Sequence, residues 1–202
     1  MGFKTPPGGN IGSPNHVLND HSYCCAMNPG ECANGEPKPE DAKKCLDYHT
    51  KKIQKRVDDS NKLKLPLFIS EFGACLDSSE CVTEINQVAG VCEKYNIGWA
   101  YWQFKTYEDL TTSAGNKSEG FYNNDGTLQK QKVKALSRTY VKNAAGTLKS
   151  SNFVADGGQA PIGEFNAQIE VDTSLLVPTV IHVATQGDPD TIWYPNGYTL
   201  SV

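Results

Sequence analysis

The residue with the clearest capacity for chemistry in this sequence is a glutamate at the end of an apolar strand. Residues 65–73 read Leu-Pro-Leu-Phe-Ile-Ser-Glu-Phe-Gly, a run that is typical of a strand covered on both faces. Side chains alternate along a strand, so Glu71 is predicted to share a face with Leu67 and Ile69, and Gly73 then permits a sharp turn. Glu71 is therefore a candidate nucleophile. The alternative is a structural carboxylate that pairs with a neighbouring Lys or Arg, or caps the next helix.

Three further side chains lie near the ends of the two flanking predicted strands. His21 and Tyr23 are two residues apart, so an extended backbone places both on one side of the preceding strand. A Tyr hydroxyl there can hold Glu71 by a hydrogen bond that favours the carboxylate, and His21 can bind a substrate hydroxyl. Trp102, late in the following strand, can form an apolar floor under a substrate ring. Each is more often structural when taken alone, but together they are the residue types that hydrolysis of a sugar linkage requires.

Strands and helices alternate through the first part of the chain, which predicts an α/β fold with parallel strands. Three such units precede Gly146, whereas a closed (β/α)8 barrel needs eight units over about 250 residues. Residues 1–146 are therefore expected to be the C-terminal three-eighths of a TIM barrel, with Glu71 in its mouth. The expected strands are at 16–23, 65–73 and 97–104. The first expected helix starts at Pro39, and the second starts at an Asp77/Glu80 capping box and ends at Asn96. The third carries Leu128 and stops at Gly146.

The pattern changes after the third expected helix. Residues 147–163 are polar and are predicted to be a linker. Residues 165–171 alternate apolar with polar side chains, which indicates a half-exposed antiparallel strand, and further strands are predicted at 179–184 and 198–202. A β-sandwich needs about seven strands over about 100 residues. Residues 164–202 are therefore expected to form a truncated antiparallel β-sandwich.

Composition excludes several classes of protein. The chain has 202 residues, 38% of them hydrophobic, and a net charge of -4 with no concentrated basic patch. These values are typical of a globular protein and disfavour nucleic-acid binding. No apolar stretch reaches the roughly 18 residues that a transmembrane helix requires.

Cysteine usage indicates an oxidising compartment. No pair of Cys-x-x-Cys motifs is present, which disfavours a structural metal, and no metal is expected. Cys75 with Cys81 would close a short loop, and Cys24 or Cys25 could pair with Cys32. An odd number of thiols leaves at least one free or paired outside the chain. The seven cysteines all lie in the first half, at positions 24, 25, 32, 45, 75, 81 and 92.

Two further features bear on the compartment. The first residues after Met1 lack the basic and apolar regions of a secretory signal. The sequon at Asn116, in a polar loop, nevertheless fits secretion. We therefore expect a secreted or lysosomal protein whose signal peptide is not in this chain.

The ordered set of strand-end motifs resembles glycoside hydrolase family 5. Within that family the sequence is most similar to the endoglycoceramidase and glucosylceramidase group, because residues 119–126 and 136–146 resemble the way that group leaves its barrel. Residues 165–202 resemble the start of its C-terminal β-sandwich. The motifs that support the resemblance are Val-Leu-Asn-Asp-His-Ser-Tyr-Cys at 17–24, Ile-Ser-Glu-Phe-Gly-Ala at 69–74 and Trp-Ala-Tyr-Trp-Gln-Phe-Lys at 99–105.

This resemblance implies retaining hydrolysis of a β-glycosidic bond through a covalent glycosyl-enzyme intermediate, without a cofactor. The implied partner is a carbohydrate or glycolipid substrate, with at most peripheral membrane contact and no nucleic acid. Glu71 matches the nucleophile, His21 and Tyr23 match the active-site His and Tyr, Trp102 matches the aromatic wall of the sugar subsite, and Gln103 and Lys105 beside it are implied to bind substrate.

One half of the implied machinery is missing from the sequence. The family's acid/base is the Glu of an Asn-Glu-Pro motif at the end of the fourth strand, and no Asn-Glu-Pro occurs here. Glu36 in Asn-Gly-Glu-Pro resembles it only superficially, because it lies in the loop after the first strand. The chain is therefore expected to be a fragment that is inactive alone. The alternatives are a non-catalytic carbohydrate- or glycolipid-binding remnant, or a β-glucanase or sterol glucosidase of the same family.

Overall fold

Three parallel strands form the sheet on which the candidate residues lie. The computed structural model describes residues 4–6, 9, 15–24, 38–75, 77–105, 119–155 and 162–202. The predicted parallel α/β arrangement is confirmed for these strands, which pair in chain order. They are β1 (Leu18–Ser22), β2 (Leu67–Phe72) and β3 (Gly98–Trp99), and the helices are α1 (Ala42–Leu63), α2 (Ser79–Lys94) and α3 (Lys130–Leu136).

Helix α1 covers β1 with one face. It follows a single 3-10 turn at Pro39–Asp41, because the fixed φ of proline suits a first helical position. It ends where Lys64 adopts a left-handed conformation with φ of 55°. Its buried side chains recur every three or four residues and so lie on one face. They are Cys45, His49, Ile53 and Arg56.

Helix α2 is capped one residue later than the sequence predicts. Ser78, not Asp77, is the N-cap, and its side chain accepts a hydrogen bond from the Cys81 N–H at 3.1 Å. The expected end at Asn96 is confirmed, since this residue has φ of 52°. The apolar face of α2 forms most of the core with β2. The fully buried apolar members of that core are Ile53, Ile69, Phe72, Cys75, Cys81, Ile85, Val88 and Cys92.

Disulfides tie both β1 and β2 to the helices that follow them. The predicted pair of Cys75 with Cys81 is confirmed. The expected pairing of Cys24 with Cys32 is wrong, because the end of β1 lies against α1 and brings Cys24 to Cys45. Cys25, Cys32 and the sequon lie outside the described residues. Cys92 is a buried free thiol, and burial raises its pKa to about 12.

The chain leaves the helical part earlier than the sequence predicts. Helix α3 ends at Leu136 instead of continuing toward Gly146, and Tyr140–Asn143 is a strand, β4, that pairs with β7 (Val180–His182). Residues 147–153 of the expected linker lie in a strand, β5 (Gly146–Phe153), which pairs with β6 (Phe165–Val171). Gly146 is required there, because a Cβ would lie 2.0 Å from the Glu170 carbonyl oxygen.

The β-rich part consists of two separate antiparallel pairs within the residues that the structure describes. The expected strand at 198–202 does not form, and each pair is a two-stranded sheet. The truncated β-sandwich and the domain boundaries at 146 and 164 therefore stay predictions. No described helix has the length and apolar character needed to cross a membrane.

Candidate active site

Strand β1 presents alternate side chains to two environments. Asp20 and Ser22 face α1: Asp20 Oδ2 is 3.5 Å from Arg56 Nε, and Ser22 Oγ is 2.6 Å from His49 Nδ1. The alternation that puts these two against the helix puts His21 on the opposite side of the sheet. Tyr23, one step beyond the end of the strand, lies on that side too. The predicted common face of His21 and Tyr23 is therefore confirmed.

A bulge in β2 brings Glu71 to this same side. The register of the parallel pair shifts, so that Asp20 lies opposite Ile69 and His21 lies opposite Glu71, with Ser70 as the extra residue. The predicted common face of Glu71 and Ile69 is wrong for this reason. Ile69 is in the core against the helices, whereas Glu71 is 27% exposed beside β1.

The Glu71 carboxylate is held by two neighbours through a single oxygen. The Tyr23 hydroxyl donates a hydrogen bond of 3.1 Å to Oε2, and His21 Nδ1 is 3.2 Å from the same atom. The His21 side chain is 42% exposed. A substrate can therefore approach the carboxylate from solvent, while the oxygen that faces β1 is already engaged.

Tyr23 stays a hydrogen-bond donor over a wide pH range. Burial raises the pKa of its hydroxyl far above the usual value, and the negative charge of Glu71 and their hydrogen bond raise it further. The charge of Glu119 contributes in the same direction. The phenol is therefore neutral wherever the protein is folded at ordinary pH, and it can stabilise the ionised form of Glu71.

The segment after β3 is tied directly to the end of β2. The Trp102 N–H donates to the Phe72 carbonyl, and the Ala74 N–H donates to the Trp102 carbonyl, each at 2.9 Å. Gly73 forms the bridge opposite Trp102 and has φ of 97°. A Cβ on Gly73 would lie 2.1 Å from the ring of Tyr101. Close approach at this glycine therefore sets Trp102 beside the strand end that carries Glu71.

Gln103 is hydrogen-bonded to Glu119, a residue that no sequence motif singles out. Its side-chain amide donates to Glu119 Oε2, and its backbone N–H donates to the Glu119 carbonyl, both at 3.2 Å. Glu119 is only 6% exposed. No spacing rule points to it, because the contact joins residues 16 apart in sequence. Lys105 lies at the exposed end of the segment.

A buried lysine joins the two loops that border the site. The Lys132 ammonium group donates to the carbonyls of Cys75 at 2.7 Å and Gly120 at 3.1 Å, and it lies 5.9 Å from the centre of the Tyr101 ring. The residue is 1% exposed. Sequence periodicity places it on a helix without distinguishing it from exposed lysines nearby.

The arrangement suits nucleophilic attack by a carboxylate. Glu71 lies at the carboxyl end of a parallel strand, which is where α/β barrel enzymes hold their substrates. The Tyr23 hydroxyl donates to the group, and the His21 ring contacts the same oxygen, so the carboxylate is held in one orientation. Among the described residues, no group of three or more His, Cys, Asp or Glu side chains is arranged to hold a metal ion. The roles of Glu71, His21, Tyr23, Trp102, Gln103 and Lys105 stay predictions.

Residues 2–108 match the Cellulase family, which is glycosyl hydrolase family 5. No curated protein matches the sequence. Structures of endo-glycoceramidase II from Rhodococcus sp. are similar in fold. Its lactosyl-enzyme intermediate gives a TM-score of 0.54 at 21% identity, over 82% of this chain and 32% of that chain. Its ganglioside GM3 complex gives 0.54 at 19% identity, over 81% and 31% of the two chains. A third structure gives 0.50 at 21% identity, over 71% and 29%.

Proposed function

The chain belongs to glycosyl hydrolase family 5, and from this we propose that its described residues form the nucleophile side of a retaining β-glycosidase active site. The observation that supports the proposal is the contact of both Tyr23 and His21 with one oxygen of Glu71, at the carboxyl ends of two neighbouring parallel strands. Two contacts on one oxygen fix the orientation of the carboxylate, whereas an ion pair on the surface does not need a fixed orientation.

In the proposed first step, Glu71 attacks the anomeric carbon of the sugar. A bond forms between the carboxylate and that carbon, and the bond to the leaving-group oxygen breaks. Oε2 is held by Tyr23 and His21, so Oε1 is the attacking atom. Water then cleaves the ester and regenerates the carboxylate. The hydrogen bond from Tyr23 weakens as Glu71 loses its charge and is restored when the sugar is released.

The proposed second carboxylate lies outside these 202 residues. A retaining enzyme needs an acid/base carboxyl about 5 to 5.5 Å from the nucleophile. The sequence has no Asn-Glu-Pro motif, and the chain spans less than a third of the length of the similar endo-glycoceramidase structures. We therefore place the acid/base, and the other β/α units of the barrel, in sequence that this chain does not include.

The proposed substrate is a β-glucoside of the glycolipid class. One of the similar structures is a ganglioside GM3 complex, and another is a lactosyl-enzyme intermediate. Sequence identities near 20% show likeness of fold alone, so the substrate is a proposal that rests on the resemblance of the motifs. Substrate access would require peripheral contact with a lipid surface, and the two disulfides fit a secreted or lysosomal location.

The experiment that tests the nucleophile is covalent labelling by 2,4-dinitrophenyl 2-deoxy-2-fluoro-β-glucoside and the matching lactoside. The dinitrophenolate leaves without protonation, so labelling does not depend on the missing acid. Mass spectrometry of the product of the complete reading frame should find the sugar on the peptide that contains Glu71. Glu71→Gln should remain unlabelled, and Glu80→Gln, which alters a carboxylate in the first turn of α2, should be labelled like the unaltered protein.

Two outcomes would overturn the proposal. Labelling of another carboxylate, at the same rate in Glu71→Gln, would remove Glu71 from the nucleophile role. Absence of any label, together with sugar binding that Glu71→Gln leaves unchanged, would instead support a non-catalytic binding remnant. A panel of glycosphingolipids, steryl glucosides and β-glucans then identifies the substrate class of a protein that is labelled at Glu71.

A further inference from the structure

A buried chain of hydrogen bonds runs from β1 through α1 to α2, behind the candidate active site. Ser22 Oγ is 2.6 Å from His49 Nδ1, and His49 Nε2 is 2.7 Å from Glu84 Oε1. Ser22 and His49 have no solvent exposure, and Glu84 is 4% exposed. The three residues are far apart in sequence, so the chain of bonds links one strand with two successive helices.

The direction of the bonds follows from the chemistry of the three groups when His49 is neutral and Glu84 is ionised. A carboxylate can only accept, so the His49 proton lies on Nε2 and is donated to Glu84. The other ring nitrogen, Nδ1, then accepts the hydroxyl proton of Ser22. The chain therefore holds His49 as one tautomer and Ser22 as one rotamer.

The three residues have the composition of a nucleophilic triad, but they cannot act as one. Ser22 faces the helices and is fully buried, so no substrate can reach its hydroxyl. A hydrolytic triad needs its serine exposed to the reacting carbonyl group.

A gain in folding stability is also a poor explanation for the hydrogen bonds between Ser22, His49 and Glu84. Buried polar groups lose hydration, and apolar residues of similar volume are often at least as stable in their place. Glu84 Oε2 is buried without a hydrogen-bond partner among the described residues, which adds to the cost. What such a chain provides is a defined geometry.

That geometry is needed at Ser22, which lies between the two residues that contact Glu71. Successive helix-facing residues of this segment are each attached to α1: Asp20 to Arg56, Ser22 to His49 and Cys24 to Cys45. Among the described residues, the middle attachment extends to α2 through the bond between His49 and Glu84, and α2 packs against β2. The hydrogen bonds of Ser22, His49 and Glu84 therefore connect β1 to α2, the helix that also supports β2, the strand of Glu71.

We infer that Ser22, His49 and Glu84 are positioning residues that hold His21 and Tyr23 against Glu71. The inference rests on the proposed function, because it assigns the chain to the orientation of the nucleophile. The three residues never touch substrate. Their effect passes through the backbone of β1, whose helix-facing side they anchor.

The first test does not need catalysis. This chain has four histidines, and long-range ¹H–¹⁵N spectra of the histidine-labelled product of the complete reading frame report the tautomer of each ring. His49 should carry its proton on Nε2 at neutral pH. Ser22→Ala should move the ring resonances of His21, and Ser22→Thr, which keeps the hydroxyl, should restore them. The control is Ser60→Ala, which removes a hydroxyl that donates to the Leu65 carbonyl at the other end of α1.

The second test uses labelling and turnover by the product of the complete reading frame. Ser22→Ala should lower kcat about tenfold or more with KM changed less than about twofold, and Ser22→Thr should recover most of the loss, because a small misplacement costs rate more than binding. Glu84→Gln keeps an acceptor for Nε2–H and should fall between them. If the protein is inactive, the proposed function fails while the spectra still test the positioning.

The inference is overturned by either of two spectroscopic results. One is a His49 proton on Nδ1 in the unaltered protein, a measurement that needs no variant. The other is an unchanged His21 spectrum in Ser22→Ala when Ser22→Ala and Ser60→Ala lower the melting temperature equally. Equal loss of kcat in Ser22→Ala and Ser22→Thr would likewise show that Ser22 acts through packing and not through its hydrogen bond to His49.

Discussion

Ile69 and Glu71 are two residues apart on β2 but face opposite sides of the sheet. Ile69 is 1% exposed in the core against α1 and α2, whereas Glu71 accepts from Tyr23 on the open side. The extra residue between them, Ser70, also faces the open side, where its hydroxyl donates to Asn19 Oδ1. Bulges are enriched at barrel rims and beside active sites, where they turn one side chain. Here the bulge presents the carboxylate without removing Phe72 from the core.

Deletion of Ser70 should leave the fold intact. Without the extra residue the strand alternates regularly, so Ile69 and Phe72 keep their places in the core and Glu71 still faces β1. Deletion of Phe68 is the control, because it makes the helix-facing Leu67 and Ile69 adjacent and forces one of them out of the core. We expect the Phe68 deletion to cost about 2–5 kcal/mol more, as a large core truncation does. Thermal unfolding measures both, and equal losses would contradict the bulge.

The site strands could be predicted from the sequence, but the bulge could not. Apolar runs with flanking turns identified β2, and residue type selected Glu71, His21 and Tyr23. Alternation alone then gave Glu71 the wrong neighbours. A bulge that contains Ser instead of Gly leaves no local signal, because it is set by the pairing of two strands that are nearly fifty residues apart.

The β-rich part shows a second limit of local patterns. Residues 146–153 are mostly polar, half of them are exposed, and they resemble a linker, but their backbone pairs with β6 along its length. Tyr140–Asn143 continues an apolar helical spacing, but it pairs with β7. Backbone hydrogen bonds to a strand that is distant in sequence determine the secondary structure of both segments. Side-chain periodicity carries no information about such partners.

Tyr23→Phe should reduce the reactivity of Glu71 more than the stability of the protein. The change removes one hydrogen bond to the carboxylate and keeps the ring. We expect labelling at Glu71 to slow on the order of a hundredfold, as a misplaced reacting group does. The rate of fluoroglycoside labelling measures it, with Tyr122→Phe, an exposed ring, as the control. Unchanged labelling in Tyr23→Phe would show that the hydrogen bond does not orient the nucleophile.

Alkaline pH should destabilise the protein through the same tyrosine. The folded-state pKa of Tyr23 is raised by burial and by Glu71, so its contribution is complete below the unfolded value of about 10 and is lost as pH rises above it. From about pH 8 to about pH 11 the melting temperature should fall more in the unaltered protein than in Tyr23→Phe. Other titrating groups are shared and cancel. Parallel curves for the two proteins would contradict the raised pKa.

Gly73→Ala should destabilise the protein through both backbone strain and a clash. Gly73 has φ of 97°, and a Cβ would meet the Tyr101 ring at 2.1 Å. Left-handed backbone costs a non-glycine residue about 1–2 kcal/mol, and overpacking typically costs about 1–3 kcal/mol more. Gly126→Ala separates the two terms, since Gly126 has φ of 83° with open space around its Cβ position. Urea unfolding should show the larger loss for Gly73→Ala, and equal losses would exclude the clash.

Glu93 of α2 pairs with Arg138, which follows α3, and both side chains also bond to the backbone of Phe153 on β5. Arg138 Nε donates to Glu93 Oε1 at 2.6 Å, a second guanidinium nitrogen donates to Oε2 at 3.1 Å, and the Phe153 N–H donates to the same Oε2 at 3.3 Å. The arginine side chain is 3% exposed and the glutamate 14%. A bidentate pair in this setting orders the chain where the helical part meets the β-rich part.

Arg138→Met should therefore cost about 3–5 kcal/mol, because it leaves the Glu93 charge buried without its partner. Adding Glu93→Gln to Arg138→Met should recover part of that loss, since the double variant no longer buries an unpaired charge. Lys149→Met removes the exposed pair of Lys149 with Glu170 and should cost at most about 1 kcal/mol. Urea unfolding of the four proteins closes the comparison. If Arg138→Met costs no more than Lys149→Met, the buried pair does not hold β5 against α2.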